Sequence, residues 1–144
     1  MAFRGTFDYS LDAKNRLTVP AKLRDRLADG LVLARGMDPC VELWPAEDYD
    51  ARMKTALEGL HPMSREARTI KNFYGGNAHD GKLDNAGRVG LAPTLMDYAA
   101  LDKDVVVVGA EDCLQIWNKG AWKVFNDRLA AEMNDIADRL GHPA

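Results

Sequence analysis

Leu11-Asp12-Ala13-Lys14-Asn15-Arg16 returns in this chain as Leu83-Asp84-Asn85-Ala86-Gly87-Arg88, 72 positions further on (12 to 84, 16 to 88). Both copies read leucine, aspartate, three small or polar residues and arginine. Each then runs through an apolar stretch to a proline, Leu17-Thr18-Val19-Pro20 in the first and Val89-Gly90-Leu91-Ala92-Pro93 in the second. A single D-x-x-x-R match carries no information. Two at a fixed offset, with similar surroundings, indicate an internal duplication. Past a one-residue slip the match continues at 73: Gly36 with Gly109, Cys40 with Cys113, Trp44 with Trp117, Tyr49 with Trp122. Each half is then one supersecondary unit that cannot bury its apolar face alone, so the two should pack together.

The duplication favours one pseudo-symmetric domain over residues 1–144. Repeat 1 is expected over 3–60, a connecting helix over 61–76, and repeat 2 with a C-terminal helix over 77–140. A content of 47% hydrophobic and 28% charged residues suits an ordinary globular protein. No apolar run approaches a membrane span, and the first residues lack a signal-peptide pattern, so a cytoplasmic location is the expectation. Cys40 and Cys113 hold equivalent places in the repeats and read as two buried thiols, not as a disulfide or a metal site.

The net charge of −3 is unevenly spread. Residues 1–26 hold Arg4, Lys14, Arg16, Lys22, Arg24 and Arg26 against Asp8, Asp12 and Asp25, a net of +3, which leaves −6 for the rest. A phosphate-binding surface needs only a local positive face.

Alternation over 3–10 predicts a strand with Phe3, Gly5, Phe7 and Tyr9 on one face. Asp12 to Asn15 predicts a tight turn, the aspartate bonding amides ahead of it and Asn15 (Gly87 in the second copy) taking the left-handed conformation. A short strand over Leu17–Val19 and a helical turn from Pro20 through Leu27 follow. Leu31–Ala34 and Val41–Trp44 read as paired strands. A helix from Pro45 carries Tyr49, Met53, Leu57 and Leu60, and Ser64 caps a shorter one through Tyr74. The second copy predicts strands around His79–Leu83, Val89–Leu91, Val105–Val108 and Leu114–Trp117, with a helical turn from Pro93. The four valines mark a central strand. Asn118 caps a final helix whose seam is Trp122, Phe125, Leu129, Met133, Ile136 and Leu140. That seam suits packing on its own domain or a contact with another subunit.

Catalysis finds little support. His61, His79 and His142 stand beside no nucleophile signature, and no phosphate-binding glycine loop or zinc-protease motif occurs. Asp80–Gly87 lacks the ligand alternation and closing glutamate of a calcium loop. Asp12 and Asp84 are better read as turn formers than as a catalytic pair. The arginines leave two readings open: each folds back on its own aspartate and pins the turn, or each projects toward DNA from a turn the aspartate braces. Lys14, Lys22, Arg24 and Arg26 around the first loop favour a phosphate footprint over a merely solvated face. In the second copy Lys14, Lys22, Arg24 and Arg26 become Ala86, Thr94, Met96 and Tyr98, so the loops are expected to be unequal. Arg65, Arg68 and Lys71 form a basic row that reads as a wet helix face or a second phosphate contact.

With these residues in view, the chain resembles the bacterial MraZ family of transcriptional regulators over nearly its whole length. The marks are Phe3-Arg4-Gly5, Leu11 to Pro20 with Leu23-Arg24, Asp84 to Arg88 with Leu91-Ala92-Pro93 and Leu95, Val107-Val108-Gly109 and Gln115-Ile116-Trp117. The resemblance implies an α+β fold, an AbrB-like pseudo-symmetric swapped hairpin with a β-barrel-like core and flanking helices. It further implies ring-shaped homo-oligomers that bind short direct repeats in double-stranded DNA upstream of a cell-division and cell-wall gene cluster, often as a repressor. Two residues depart from the pattern: Asn15 stands where glycine is usual, and Met96 where an arginine is expected. Arg16 and Lys14 are the expected leading DNA contacts, Lys22, Arg24 and Arg4 their phosphate neighbours, Arg88 a weaker equivalent, with Asp12 and Asp84 bracing the loops. No cofactor, metal, membrane or small-molecule substrate is expected. The alternative is a protein-interaction module that uses the Trp122–Leu140 seam without DNA.

Overall fold

Alternation along the strands divides the apolar residues between two faces, and that division sets the layers of the molecule. The computed structural model describes residues 2–141, so His142 lies outside the described residues. The first half contains β1 (Thr6–Ser10), β2 (Arg16–Thr18), a 3-10 turn over Ala21–Leu27, β3 (Leu31–Arg35), β4 (Val41–Pro45) and α1 (Ala46–Leu57). After α2 (Arg65–Phe73) come β5 (His79–Gly81), β6 (Arg88–Gly90), α3 (Pro93–Tyr98), β7 (Asp104–Gly109), β8 (Leu114–Asn118) and α4 (Lys119–Arg139). The fold is α+β, as expected.

Six strands form one antiparallel sheet in the order β1-β7-β8-β4-β3-β5, while β2 and β6 pair as a separate ribbon. Among the described residues the strands do not close into a barrel; β1 and β5 are free edges. The order is a palindrome of the two repeats. β1 of the first half pairs with β7 of the second, and β5 of the second pairs with β3 of the first. This exchange is the swapped hairpin. At the centre Glu42 lies opposite Gln115, its own equivalent 73 positions on, and in the ribbon Leu17 lies opposite Val89, its equivalent at 72. A pseudo-twofold axis runs through both pairs.

One face of the sheet joins the ribbon in the main core, where Leu17, Val19, Leu31, Leu33, Val41, Leu43, Val105 and Val107 are buried together. On the other face Val32, Ala34 and Trp44 meet Tyr49 of α1, and Val106 and Trp117 meet Trp122 and Phe125 of α4. The four valines are thus split evenly between the layers, and β7 is an interior strand, as the run predicted. α2 is held where Arg35 sets its guanidinium 4.8 Å from the Phe73 ring and 5.1 Å from that of Tyr98, a cation–π clamp.

Ser64 caps α2 by accepting the Ala67 amide at 3.1 Å, and Asn118 caps α4 by accepting that of Ala121 at 3.0 Å. Asn15 and Gly87 both adopt positive φ, 56° and 74°. Most element boundaries fall within a residue or so of the sequence expectation, and three differ for a visible reason. The first strand starts at Thr6, because Gly5 turns to φ 102° and leaves Phe3 in an isolated bridge to Glu111. α1 ends at Leu57, before Gly59 at φ 78°, so Leu60 falls outside it. β5 is only three residues long, its pairing to β3 stopping at Gly81. Gly109 admits the Phe3–Arg4 backbone, which passes where a Cβ would stand. Both cysteines are buried and unpaired, and burial pushes their thiols well up, away from the reactive thiolate. Among the described residues no helix is long and apolar enough to cross a membrane.

Candidate nucleic-acid interface

An aspartate followed two and four residues later by free amides can close a turn with one carboxylate, and both loops do so. Asp12 Oδ1 accepts the Lys14 and Arg16 amides, each at 2.9 Å, and Asp12 Oδ2 accepts Arg16 Nε at 2.7 Å. In the second loop Asp84 Oδ1 accepts the Ala86 and Arg88 amides at 2.9 and 2.8 Å, and Oδ2 accepts Arg88 Nε at 2.8 Å. Each arginine therefore does fold back on its aspartate. The pin uses Nε. Among the described residues no protein acceptor meets the terminal nitrogens, and both side chains remain about a third exposed.

Strand alternation then aims these groups. Leu17 and Val89 point into the core, so Arg16, Thr18, Arg88 and Gly90 share the outer face of the β2–β6 ribbon. Arg16 stands opposite Gly90 and Arg88 opposite Thr18, which puts the arginines diagonally across the ribbon, Cα atoms roughly 7–8 Å apart. Each loop is tied to the other half: Leu91 donates to the Asn15 carbonyl at 3.0 Å and Val19 to the Gly87 carbonyl at 2.9 Å.

The remaining basic residues sort differently from their order in the chain. Lys14 is exposed at the tip of the first loop. Arg24 lies not beside the loop that precedes it but against Gly87 of the second, with its Nε donating to the Val19 carbonyl at 2.9 Å. Its counterpart Met96 lines the hollow beside Asp12, Ala13 and Asn15, together with Lys103. The swapped connectivity thus gives the second loop a guanidinium from the first repeat and gives the first loop a thioether from the second. Lys103 comes to the site through the start of β7, and no sequence pattern pointed to it. Lys22 holds its ammonium 5.0 Å from the Phe7 ring on β1. Arg4 pairs through two nitrogens with Glu111, at 3.0 and 3.2 Å, at the end of β1 away from the loops.

The amide of Arg16, its guanidinium and the Lys14 amide together hold the Asp12 carboxyl below the usual carboxylate range, and the matching groups do the same to Asp84. A depressed native pKa contributes stability that is present above the unfolded value and lost as pH falls through the native one. The braces should therefore outlast ordinary surface carboxylates on acidification. In an NMR titration the Lys14, Arg16, Ala86 and Arg88 amides are expected to shift only below about pH 3.9, the ordinary aspartate value. A midpoint at or above that value contradicts the brace.

The family model described as "MraZ protein, putative antitoxin-like" matches residues 2–73 and again 75–141. The chain belongs to the MraZ family. A protein of Lactiplantibacillus plantarum is 39% identical over 96% of this chain and 97% of its own length, and one of Nocardioides sp. is 38% identical over 99% and 98%. A third, from Salinispora arenicola, is 39% identical over 94% and 93%. All three are named Transcriptional regulator MraZ. MraZ proteins are thus regulators by name, and the family is not one of enzymes.

Proposed function

We propose that the chain is a sequence-specific DNA-binding regulator of transcription. In this reading it acts as a repressor of a cell-division and cell-wall gene cluster, in the cytoplasm at the nucleoid. It engages short direct repeats as a ring of identical chains. Each chain is one domain, with repeats 3–60 and 77–140 around a connecting segment, and works without cofactor, metal, membrane or small-molecule substrate.

The observation that carries this reading is the ribbon face. Two braced turns present arginines whose outer forks are free, beside Lys14 on one loop and Arg24 on the other. A two-stranded ribbon fits the major groove, and a planar guanidinium can meet the two acceptors of guanine at once. Four cations per subunit are a weak contact alone. A ring that sets several such faces along repeated sites multiplies the effective affinity without new contacts.

A gel-shift titration on the chain's own upstream region, repeated over a salt series, tests the reading. Neutralising four phosphates per engaged subunit gives a slope of log affinity on log salt of roughly −3 to −4. Affinity that does not move with salt would remove the electrostatic basis of the proposal.

A further inference from the structure

The pseudo-twofold axis of the ribbon makes the flanks of its two loops equivalent in shape, yet the chain charges them by different routes. Beside the second loop Arg24 lies against Gly87, in the place where a Cβ would stand. The equivalent place beside the first loop is a hollow of about 300 Å³, its walls including Asp12, Ala13, Asn15, Met96, Asp102 and Lys103. Met96, the counterpart of Arg24 at an offset of 72, brings no charge there. Lys103 does.

Lys103 has no basic equivalent in the first repeat, where the position 73 earlier is Gly30. Its place is fixed by the backbone. The Lys103 carbonyl accepts the Leu11 amide at 2.7 Å, one residue before the turn-forming Asp12. That bond continues the β1–β7 pairing one step past Ser10 and Asp104, so the strand exchange itself carries the lysine to the loop. Its side chain is exposed. Acids share this edge of the molecule. Asp102 Oδ1 accepts the Lys103 amide at 2.9 Å, Asp104 Oδ1 accepts the Ser10 hydroxyl at 2.9 Å, and Asp12 closes the turn. Among the described residues none of them forms an ion pair with the Lys103 ammonium. Without that ammonium, a phosphate drawn up to the hollow would meet the Asp102 charge unopposed.

A ribbon laid in the major groove lies between two phosphate walls, and the pseudo-twofold axis turns the flank of one loop into the flank of the other. A cation is called for beside each. We infer that Lys103 is the phosphate-binding cation on the flank of the first loop, as Arg24 is on that of the second. The inference rests on the DNA-binding reading above and adds a contact to it. A lysine serves here because a phosphate can be held by a point charge, whereas reading guanine takes a planar fork. The contact is therefore blind to sequence: Lys103 contributes affinity and position on the duplex, not the choice of bases.

Gel-shift titrations of the full chain and Lys103→Ala over a salt series, on the upstream region and on random duplex, test it. A fifth phosphate contact takes the slope of log affinity on log salt from roughly −3.6 to about −4.5, and the variant should return to roughly −3.6. Between about 50 and 200 mM salt the wild-type chain is then expected to lose roughly three- to fourfold more affinity than the variant. Both duplexes should weaken by the same factor, which leaves their ratio unchanged. Lys54→Ala removes the same charge from an exposed position on α1, across the sheet from the ribbon, and should leave the slope alone. Lys103→Ala combined with Met96→Arg puts a guanidinium back in the hollow and should restore the steeper slope. A Lys103→Ala chain with the wild-type slope overturns the inference. So does an equal loss from Lys54→Ala, which would make the effect one of net charge, and so does a loss confined to the upstream region. A double variant that keeps the wild-type circular dichroism but stays at the shallower slope overturns the equivalence with Arg24. A wild-type affinity that ignores salt overturns the DNA-binding reading as well, whereas a steep wild-type slope shared by Lys103→Ala overturns this contact alone.

Discussion

Arg16→Ala is expected to lower affinity for the upstream repeats by about tenfold to a hundredfold in a gel-shift titration, the cost of one bidentate base contact of roughly 1–3 kcal/mol. The loss should be greatest on the cognate sequence and small on random duplex. The fold is expected to be kept, because the side chain sits on the outer face of the ribbon and its removal opens no cavity in the core. The Asp12 carboxylate would still hold two amides. Arg88→Ala should weaken binding less. Its loop has Ala86 at the tip where the first has the free Lys14, and Arg24 beside it already spends its Nε on the Val19 carbonyl. Equal losses from the two substitutions would mean that Arg24 makes good the missing lysine and that the loops act as equivalents. A normal affinity for Arg16→Ala would leave the ion pair as a structural pin alone.

Leu17→Ala is the second large effect, and it falls on stability. Leu17 is fully buried and faces Val89 across the ribbon at the pseudo-twofold axis, inside the main core that both halves share. Truncating a buried leucine costs roughly 2–5 kcal/mol, the removed methyl groups plus the void they leave. For a chain near 150 residues that is a fall in melting temperature of roughly 5–15 °C. Val124→Ala on α4, where the side chain is half exposed, serves as control and should change stability by less than about 0.5 kcal/mol. A Leu17→Ala chain that melts with the wild type would show that the ribbon is not part of the cooperative core.

Turn chemistry was the most legible part of the fold. Aspartate bonding ahead of itself, and asparagine or glycine at positive φ, are decided within five residues, and both loops obey. Caps at Ser64 and Asn118 and the buried run of valines are local in the same sense. The exchange of strands is not. Phe7 pairs with Val107 across a hundred residues, and no periodicity in either segment names its partner. For the same reason Arg24 read as a neighbour of the first loop when it lies on the second, and Lys103 passed unnoticed. The α4 seam read as continuous because its spacing is unbroken. Where it passes from packed to bare depends on where the body of the protein stops, which helical periodicity does not encode.

The strand exchange also governs how the chain comes into being on the ribosome. β1 is finished early, but the strand it joins emerges roughly a hundred residues later, a wait of about 5–20 s at ordinary synthesis rates. Until then Phe7 and Tyr9 have no sheet to enter, and the nascent first half has an edge with nothing to bond. Long-range pairings of this kind fold slowly and expose sticky surface meanwhile. For the newborn chain, the dangerous interval is thus built into the same topology that later sets its two arginines on one face of the ribbon.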